Sequence, residues 1–389
     1  MTDLASRLHA ALEGHVARGD VPGLVALVAQ GDDVVTCVVG ALADGGAPVR
    51  RDSLFRISSM TKPITAAAAM IAIDDGALAL DAPVERWLPE LADRRVLRTM
   101  ASELDDTVAA DRSITVRDLL AFTLGLGIPL APPGTYPIQR AMDAEDLGQH
   151  QPSPARCPAP DEWMRRLGKL PLMRQPGAAW MYNTGADVLG VLVARATRTA
   201  FPDFLRERLF QPLGMRDTAF SVAPADRHRL ATAYAVSPSG GRTVYDPPDG
   251  QWSTPPAFPG GAAGLVSTAD DFLAFSELLL GRGARRGTRL ISAAAVDAMT
   301  RDQLTLAQRA ASHWVPGFFA HMTWGFGLAV LTAADPSGAP GAFGWDGGLG
   351  SVWRADPATG RTTLLLTQQA WASPSPPQVA RDFWAAARS

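Results

Sequence analysis

Apolar side chains recur at Leu4, Leu8, Ala11, Leu12 and Val16, the three-and-four spacing that lays one apolar stripe along a helix, so residues 3–18 are predicted helical. Gly23 to Gln30 (GLVALVAQ) and Val34 to Gly40 (VVTCVVG) are short apolar runs that predict two strands, with Gly31-Asp32-Asp33 as the hairpin turn between them. After Phe55-Arg56-Ile57 the chain reads Ser58-Ser59-Met60-Thr61-Lys62-Pro63 and enters an alanine-rich run to Ile73, which marks a helix start with Ser58 as the expected N-cap. Pro63 has no N–H to donate and belongs in a first turn. Ser59 then sits in that first turn, with Lys62 one turn on along the same face.

From about residue 85 to 255 helical patterns are broken by proline-rich stretches. Pro129, Pro132, Pro133, Pro137, Pro152, Pro154, Pro158 and Pro160 predict a long irregular loop over 129–160, of the kind that covers a site or moves. Ser267-Thr268-Ala269-Asp270-Asp271 caps another apolar helix running through Leu280. Thr323 to Leu331, Ser351 to Arg354 and Thr362 to Gln368 read as strands, with Pro357-Ala358-Thr359-Gly360 turning between the last two, and a closing helix runs from about Pro376 to Ala387. Strands linked as hairpins, without strand–helix alternation, argue against a doubly wound parallel sheet. We expect an α+β fold: an antiparallel sheet flanked by helices and built from both chain ends (1–85 and 255–389), a mostly helical inserted domain (86–254), and a ligand cleft between them.

With 47% apolar residues the chain of 389 can build a full core, and a net charge of −3 gives no electrostatic reason to expect nucleic acid or an anionic membrane. Cys37 falls in a strand pattern and reads as a buried free thiol, and no Cys/His cluster has zinc spacing. No run reaches transmembrane length and the first helix lacks signal-peptide character, so a cytoplasmic protein is expected, its oligomeric state left open.

Composition changes the picture at lysine. Of the 36 cationic side chains 34 are arginine, and one of the two lysines is Lys62, three residues after Ser59. Arginine stays protonated, whereas a buried lysine can lose its proton and activate a hydroxyl, which is what Ser-x-x-Lys requires. Tyrosine is also rare, and Tyr182 stands just before an apolar helix; it reads either as a half-buried packing residue or, beside cationic Lys62, as a phenol of lowered pKa able to pass protons. Gly344-Trp345-Asp346-Gly347-Gly348-Leu349-Gly350 is either a turn or a backbone edge offering N–H groups to a ligand. No Gly-x-Ser-x-Gly elbow occurs, and His9, His15, His150, His228, His313 and His321 sit in no recognisable catalytic context; His313 and His321 flank Trp314, Phe318 and Phe319, an apolar lip or a piece of core.

Together, Ser59-x-x-Lys62, Tyr182-Asn183-Thr184 and Trp345-x-Gly347 resemble the motifs of the serine β-lactamase/penicillin-binding-protein-like hydrolases, and most of all the class C β-lactamase-like (family VIII) carboxylesterases. Ile114–Leu120, Phe210–Met215 and Gly264–Thr268 look like segments recurring in that family in the same order, so the resemblance covers roughly residues 5–385. It implies Ser59 as nucleophile, Lys62 as its base, Tyr182 as proton donor to the leaving group, and the N–H groups of Ser59 and Gly348 as oxyanion hole. Trp345, Asp346, Gly347 and Asn183 are the implied substrate contacts, and no metal or organic cofactor is implied. An indole stands at Trp345 where true β-lactamases of this type carry lysine, which favours a neutral ester over a carboxylate-bearing β-lactam. A small-molecule ester handled through an acyl-enzyme is expected. D-amino-acid amides, weak β-lactam hydrolysis and acyl transfer are the chemical alternatives, and a catalytically idle scaffold is the alternative of another class.

Overall fold

The computed structural model describes residues 2–148, 151–237, 241–312 and 314–388. Seven strands form the main sheet: β1 (Gly23–Gln30), β2 (Asp33–Gly40), β3 (Met322–Trp324), β4 (Ala329–Leu331), β5 (Phe343–Gly347), β6 (Ser351–Asp356) and β7 (Arg361–Thr367). They lie in the order β3-β4-β5-β6-β7-β1-β2 with every neighbouring pair antiparallel. The two ends of the chain meet where β1 pairs with β7, from Leu24 opposite Thr367 to Gln30 opposite Arg361. The expected hairpin is present: Gln30 pairs with Asp33 across Gly31-Asp32, and Gly31 takes φ +60°, which a side chain would resist.

Five helices position the site: α1 (Thr2–Ala17), α2 (Thr61–Asp74), α3 (Thr184–Thr197), α4 (Ala269–Leu280) and α5 (Gln378–Arg388). Strand alternation decides which of them packs where. Leu24, Ala26, Val28, Val352 and Leu365 point to one face and are covered by Leu8 and Leu12 of α1 and Phe383 and Trp384 of α5. Val25, Leu27, Ala29, Leu364 and Leu366 point to the other, into a core shared with α2 and α4. Central strands buried on both faces read as continuous apolar runs, as β1 does. No described helix is long and apolar enough to cross a membrane.

Three local expectations are corrected. Residues 323–331 are two strands, because Gly325-Phe326-Gly327-Leu328 turns onto α2; a Cβ on Gly327 would sit 2.4 Å from Ala66 Cβ. The 129–160 stretch contains a helix, Pro137–Ala144. Ser58 is not a helix N-cap. It lies in a 3₁₀ turn, Ser58–Met60, with φ +45° and no side-chain capping bond, and α2 starts at Thr61. The chain must swing from a short strand, Phe55–Arg56, into the helix within a few residues, and the strained backbone at Ser58 is where it does so.

That short strand is anchored from behind. Arg56 donates through Nε to Asp246 Oδ2 at 2.8 Å, Asp246 Oδ1 accepts Gln251 N–H at 2.6 Å, and the guanidinium lies 5.2 Å from the Trp252 ring centre. Both members of this pair are almost fully buried, at 2% and 1% side-chain exposure.

Candidate active site

Helix α2 and the turn before it bring Ser59 and Lys62 together. Lys62 Nζ donates to Ser59 Oγ at 2.9 Å and to the Ala262 carbonyl at 2.8 Å. Lys62 has no solvent exposure while Ser59 is half-buried. Burial depresses the ammonium to about 7, and the nearby Asp187 carboxylate opposes that fall. A buried amine poised near neutrality can take a hydroxyl proton; a guanidinium in its place cannot.

The second acceptor for Lys62 comes from a strip that sequence reasoning missed. Gly260-Gly261-Ala262 runs between α2 and α3: Thr65 Oγ1 donates to Gly261 O at 2.7 Å, Lys62 to Ala262 O, and Ala262 N–H donates to Asp187 Oδ1 at 2.9 Å. Glycine is required here because a Cβ on Gly261 would lie 2.3 Å from Ala186 O. Asp187 was also missed. The signal available was a lone carboxylate in the otherwise apolar first half of α3, and burial pushes it up to about 6.

Tyr182 is fixed by its main chain, which accepts Ile128 N–H at 2.9 Å, and by a cluster of rings. Trp314, Trp345 and Trp180 lie 4.9, 5.6 and 5.7 Å away between centres, and Lys62 Nζ sits 4.5 Å from the phenol ring centre. Its hydroxyl hydrogen-bonds to Ser59 and accepts from Trp345 Nε1 at 2.9 Å. The expectation that Lys62 lowers this phenol is overturned. Burial pushes Tyr182 up, well above its ordinary value, because the rings exclude water and Lys62 is itself held near neutrality. Tyr182 is therefore a neutral phenol. Trp345→Phe removes the indole donor; kcat is expected to fall about tenfold with little change in KM, as loss of one buried hydrogen bond implies. Unchanged kcat would show that the indole does not orient the phenol.

The glycine-rich segment closes β5. A Cβ on Gly347 would lie 2.3 Å from Ile57 O, so only glycine lets the strand end abut the turn that carries Ser59. Gly348 follows in open space. Among the described residues, neither its N–H nor that of Ser59 donates to another backbone group, and both residues line the cavity. Backbone N–H groups left without a carbonyl acceptor beside a nucleophile can stabilise an anion.

Of the expected substrate contacts, Asn183 lines the cavity, at φ +87°. Trp345 stands behind Tyr182 and Gly347 works through its backbone. Asp346 is a correction. As the strand neighbour of Trp345 it points to the opposite face, where Arg354 clasps both carboxylate oxygens at 2.6 and 2.9 Å.

The cavity over Ser59 measures about 380 Å³. The 129–160 stretch supplies one wall, with lining residues in 143–148 and 151–157. That wall is pinned by Tyr245, whose hydroxyl donates to Pro152 O at 2.5 Å, and by Ser153, which donates to Gln251 Oε1 at 2.8 Å. Trp314 lines the cavity, while Phe318 stacks on Trp180 at 5.4 Å and Phe319 meets it edge-on at 5.6 Å. His150 and His313 lie outside the described residues.

Known proteins resemble this chain over almost its whole length. A family profile described as Beta-lactamase matches residues 8–386. An uncharacterized protein of Mycobacterium tuberculosis is 40% identical over 333 residues, covering 84% of this chain and 80% of the relative. Esterase EstB of Burkholderia gladioli is 34% identical over 396 residues, covering 96% and 93%. The solved structure of EstCE1, described as a hydrolase with promiscuous acyltransferase activity, superposes with a TM-score of 0.82 at 26% identity, covering 100% and 99%. A β-lactamase/transpeptidase-like fold, a profile match from one end to the other and an esterase relative of nearly equal extent lead to one conclusion: this chain is a serine hydrolase belonging to the Beta-lactamase family.

Proposed function

We propose that the protein is a carboxylic ester hydrolase that works through an acyl-enzyme on Ser59. The observation that carries this reading is the fully buried amine of Lys62, 2.9 Å from Ser59 Oγ, in a site whose third motif supplies an indole and no cation. Neutral Lys62 takes the Ser59 proton as Oγ attacks the ester carbonyl, and the N–H groups of Ser59 and Gly348 hold the resulting oxyanion. Tyr182 gives its proton to the departing alcohol and recovers one from Lys62. Water then attacks the acyl-enzyme, the Lys62–Tyr182 pair takes its proton and returns one to Ser59, and the acid leaves. No step calls for a metal or organic cofactor. The cavity suits short- to medium-chain acyl groups.

Acyl transfer is the second reading, favoured by the likeness to EstCE1: an alcohol entering in place of water completes the same cycle. Amide substrates would use the same groups against a poorer leaving group.

The test is a panel of nitrophenyl esters of increasing chain length beside a chromogenic cephalosporin and a D-alanyl peptide, with a reactive phosphonate to trap the nucleophile. Esters are expected to lead by about 100-fold in kcat/KM, and the phosphonate to add its mass at Ser59. A cephalosporin or peptide turned over faster than every ester would reassign the substrate class. Labelling elsewhere than Ser59 would end the mechanism.

A further inference from the structure

We infer that Thr65 and Asp187 are positioning residues for the reaction: each grips the 260–265 strip, and through it they aim the Lys62 amine at Ser59. The inference rests on the reading of Ser59 as nucleophile and Lys62 as its base, and deepens it by naming what holds that pair in place.

Thr61, Lys62 and Thr65 share one face of α2, at the three- and four-residue spacings that stack side chains on a helix. All three are sealed from solvent. The strip is bonded to that face at three points. The Thr65 hydroxyl lies 2.7 Å from Gly261 O and 3.2 Å from Thr61 O, and the closer carbonyl takes its proton. Leu265 N–H donates to Thr61 Oγ1 at 3.2 Å. Lys62 Nζ donates to Ala262 O at 2.8 Å. From α3, Asp187 holds the other end of Ala262, accepting its N–H at 2.9 Å. Among the described residues neither Thr65 nor Asp187 hydrogen-bonds to Lys62 itself, so what they share with the amine is the strip.

The strip has little slack. A Cβ on Gly261 would lie 2.3 Å from Ala186 O of α3 and 3.0 Å from Thr65 Cγ2, so this backbone is wedged between the two helices. Lysine reaches its partners on a flexible four-carbon stem. Holding Nζ 2.9 Å from Ser59 Oγ calls for a second fixed point, and Ala262 O is that point. When the strip shifts, the fixed point shifts with it, and a displacement on the order of 1 Å between reacting groups costs up to about 10²-fold in rate. Asp187 acts on Lys62 by its charge as well, which Thr65 cannot do, and the two residues together separate aim from charge.

The rate at which a reactive phosphonate labels Ser59 reads the activation of Oγ whatever the natural substrate. It is followed by mass across a range of pH for the native protein, Thr65→Val, Thr65→Ser, Asp187→Asn and Asp187→Ala, with a melt of each. On the plateau above the rising limb, Thr65→Val is expected to label about tenfold more slowly, as loss of one buried hydrogen bond implies, with the limb itself unmoved. Thr65→Ser keeps the hydroxyl and should recover most of that rate. Asp187→Asn still offers Ala262 N–H an oxygen and Asp187→Ala does not, so on the plateau the alanine variant should be slower than the asparagine variant by about threefold or more, although both lack the charge. A merely structural role would lower the melting temperature and leave these plateau rates alone. Thr65→Val labelling within about twofold of native, or the two Asp187 variants labelling alike, overturns the inference. Where one of these comparisons is lost to unfolding, the other decides. No labelling of native Ser59 removes the nucleophile reading and this inference with it, whereas native labelling that the variants leave unchanged removes the inference alone.

Discussion

Lys62→Arg is expected to lower kcat/KM for a nitrophenyl ester by about 10³-fold or more, a loss in the upper range for removing a general base. The substituted guanidinium keeps its proton at every workable pH, and Ser59 Oγ loses its acceptor. Lys62→Met, close in volume and without charge, should lose as much, which separates loss of the base from gain of a fixed cation. A melt recorded beside the assay shows whether either variant remains folded. The same amine sets the pH profile of the native enzyme. Because burial lowers Lys62 to about 7 and the proposed mechanism uses it as the free base, kcat/KM should rise with pH through about 7 and level above it. Asp187 opposes loss of the proton, so Asp187→Asn should move that rising limb to lower pH. Near-normal turnover by Lys62→Arg, or a flat profile between pH 6 and 8, would remove Lys62 from the mechanism.

Asp246→Ala should be the most destabilising change outside the site itself. It strands Arg56 without its carboxylate in a buried interior, and leaving one member of such a pair uncompensated costs about 3–5 kcal/mol. A fall in Tm of roughly 5–10 °C is expected for a chain of this size. Replacing both members by apolar residues, Arg56→Met with Asp246→Leu, should restore most of that loss. Arg56 lies three residues before Ser59, so the single variant should also acylate more slowly than its melting loss explains. A single variant melting within a degree of the native protein would show that the pair contributes little.

Where side-chain periodicity carries the information, the sequence was readable. The continuous apolar run of β1 and the stripe on α1 announced a strand and a helix with one face to bury, and these follow from residues within one segment. The pairing of Ser59 with Lys62 was equally local, since three residues on a helix share a face. Failures came where distant segments decide. The break between β3 and β4 exists because Gly327 must fit against Ala66 of α2. The rise of the Tyr182 phenol comes with its burial among rings, and of these Trp314 and Trp345 arrive from two distant stretches of chain while Trp180 is a near neighbour. Asp187 acquires its meaning from Ala262. The placing of Asp346 was within reach: period-two alternation forbids Trp345 and Asp346 from facing the same cavity, and applying that rule to the glycine-rich segment would have set Asp346 aside.

The seam between β1 and β7 has a consequence for synthesis on the ribosome. The hairpin β1–β2 and the serine–lysine turn emerge before the strand that flanks the hairpin and the glycine N–H that would steady an anion, which follow far along the chain. Until then the nascent chain carries a hydroxyl and an amine with no assembled pocket, together with an apolar strand edge awaiting its partner. Closing so distant a pairing is slow and exposes that edge, so the growing chain is catalytically silent and most in need of a chaperone over the same interval.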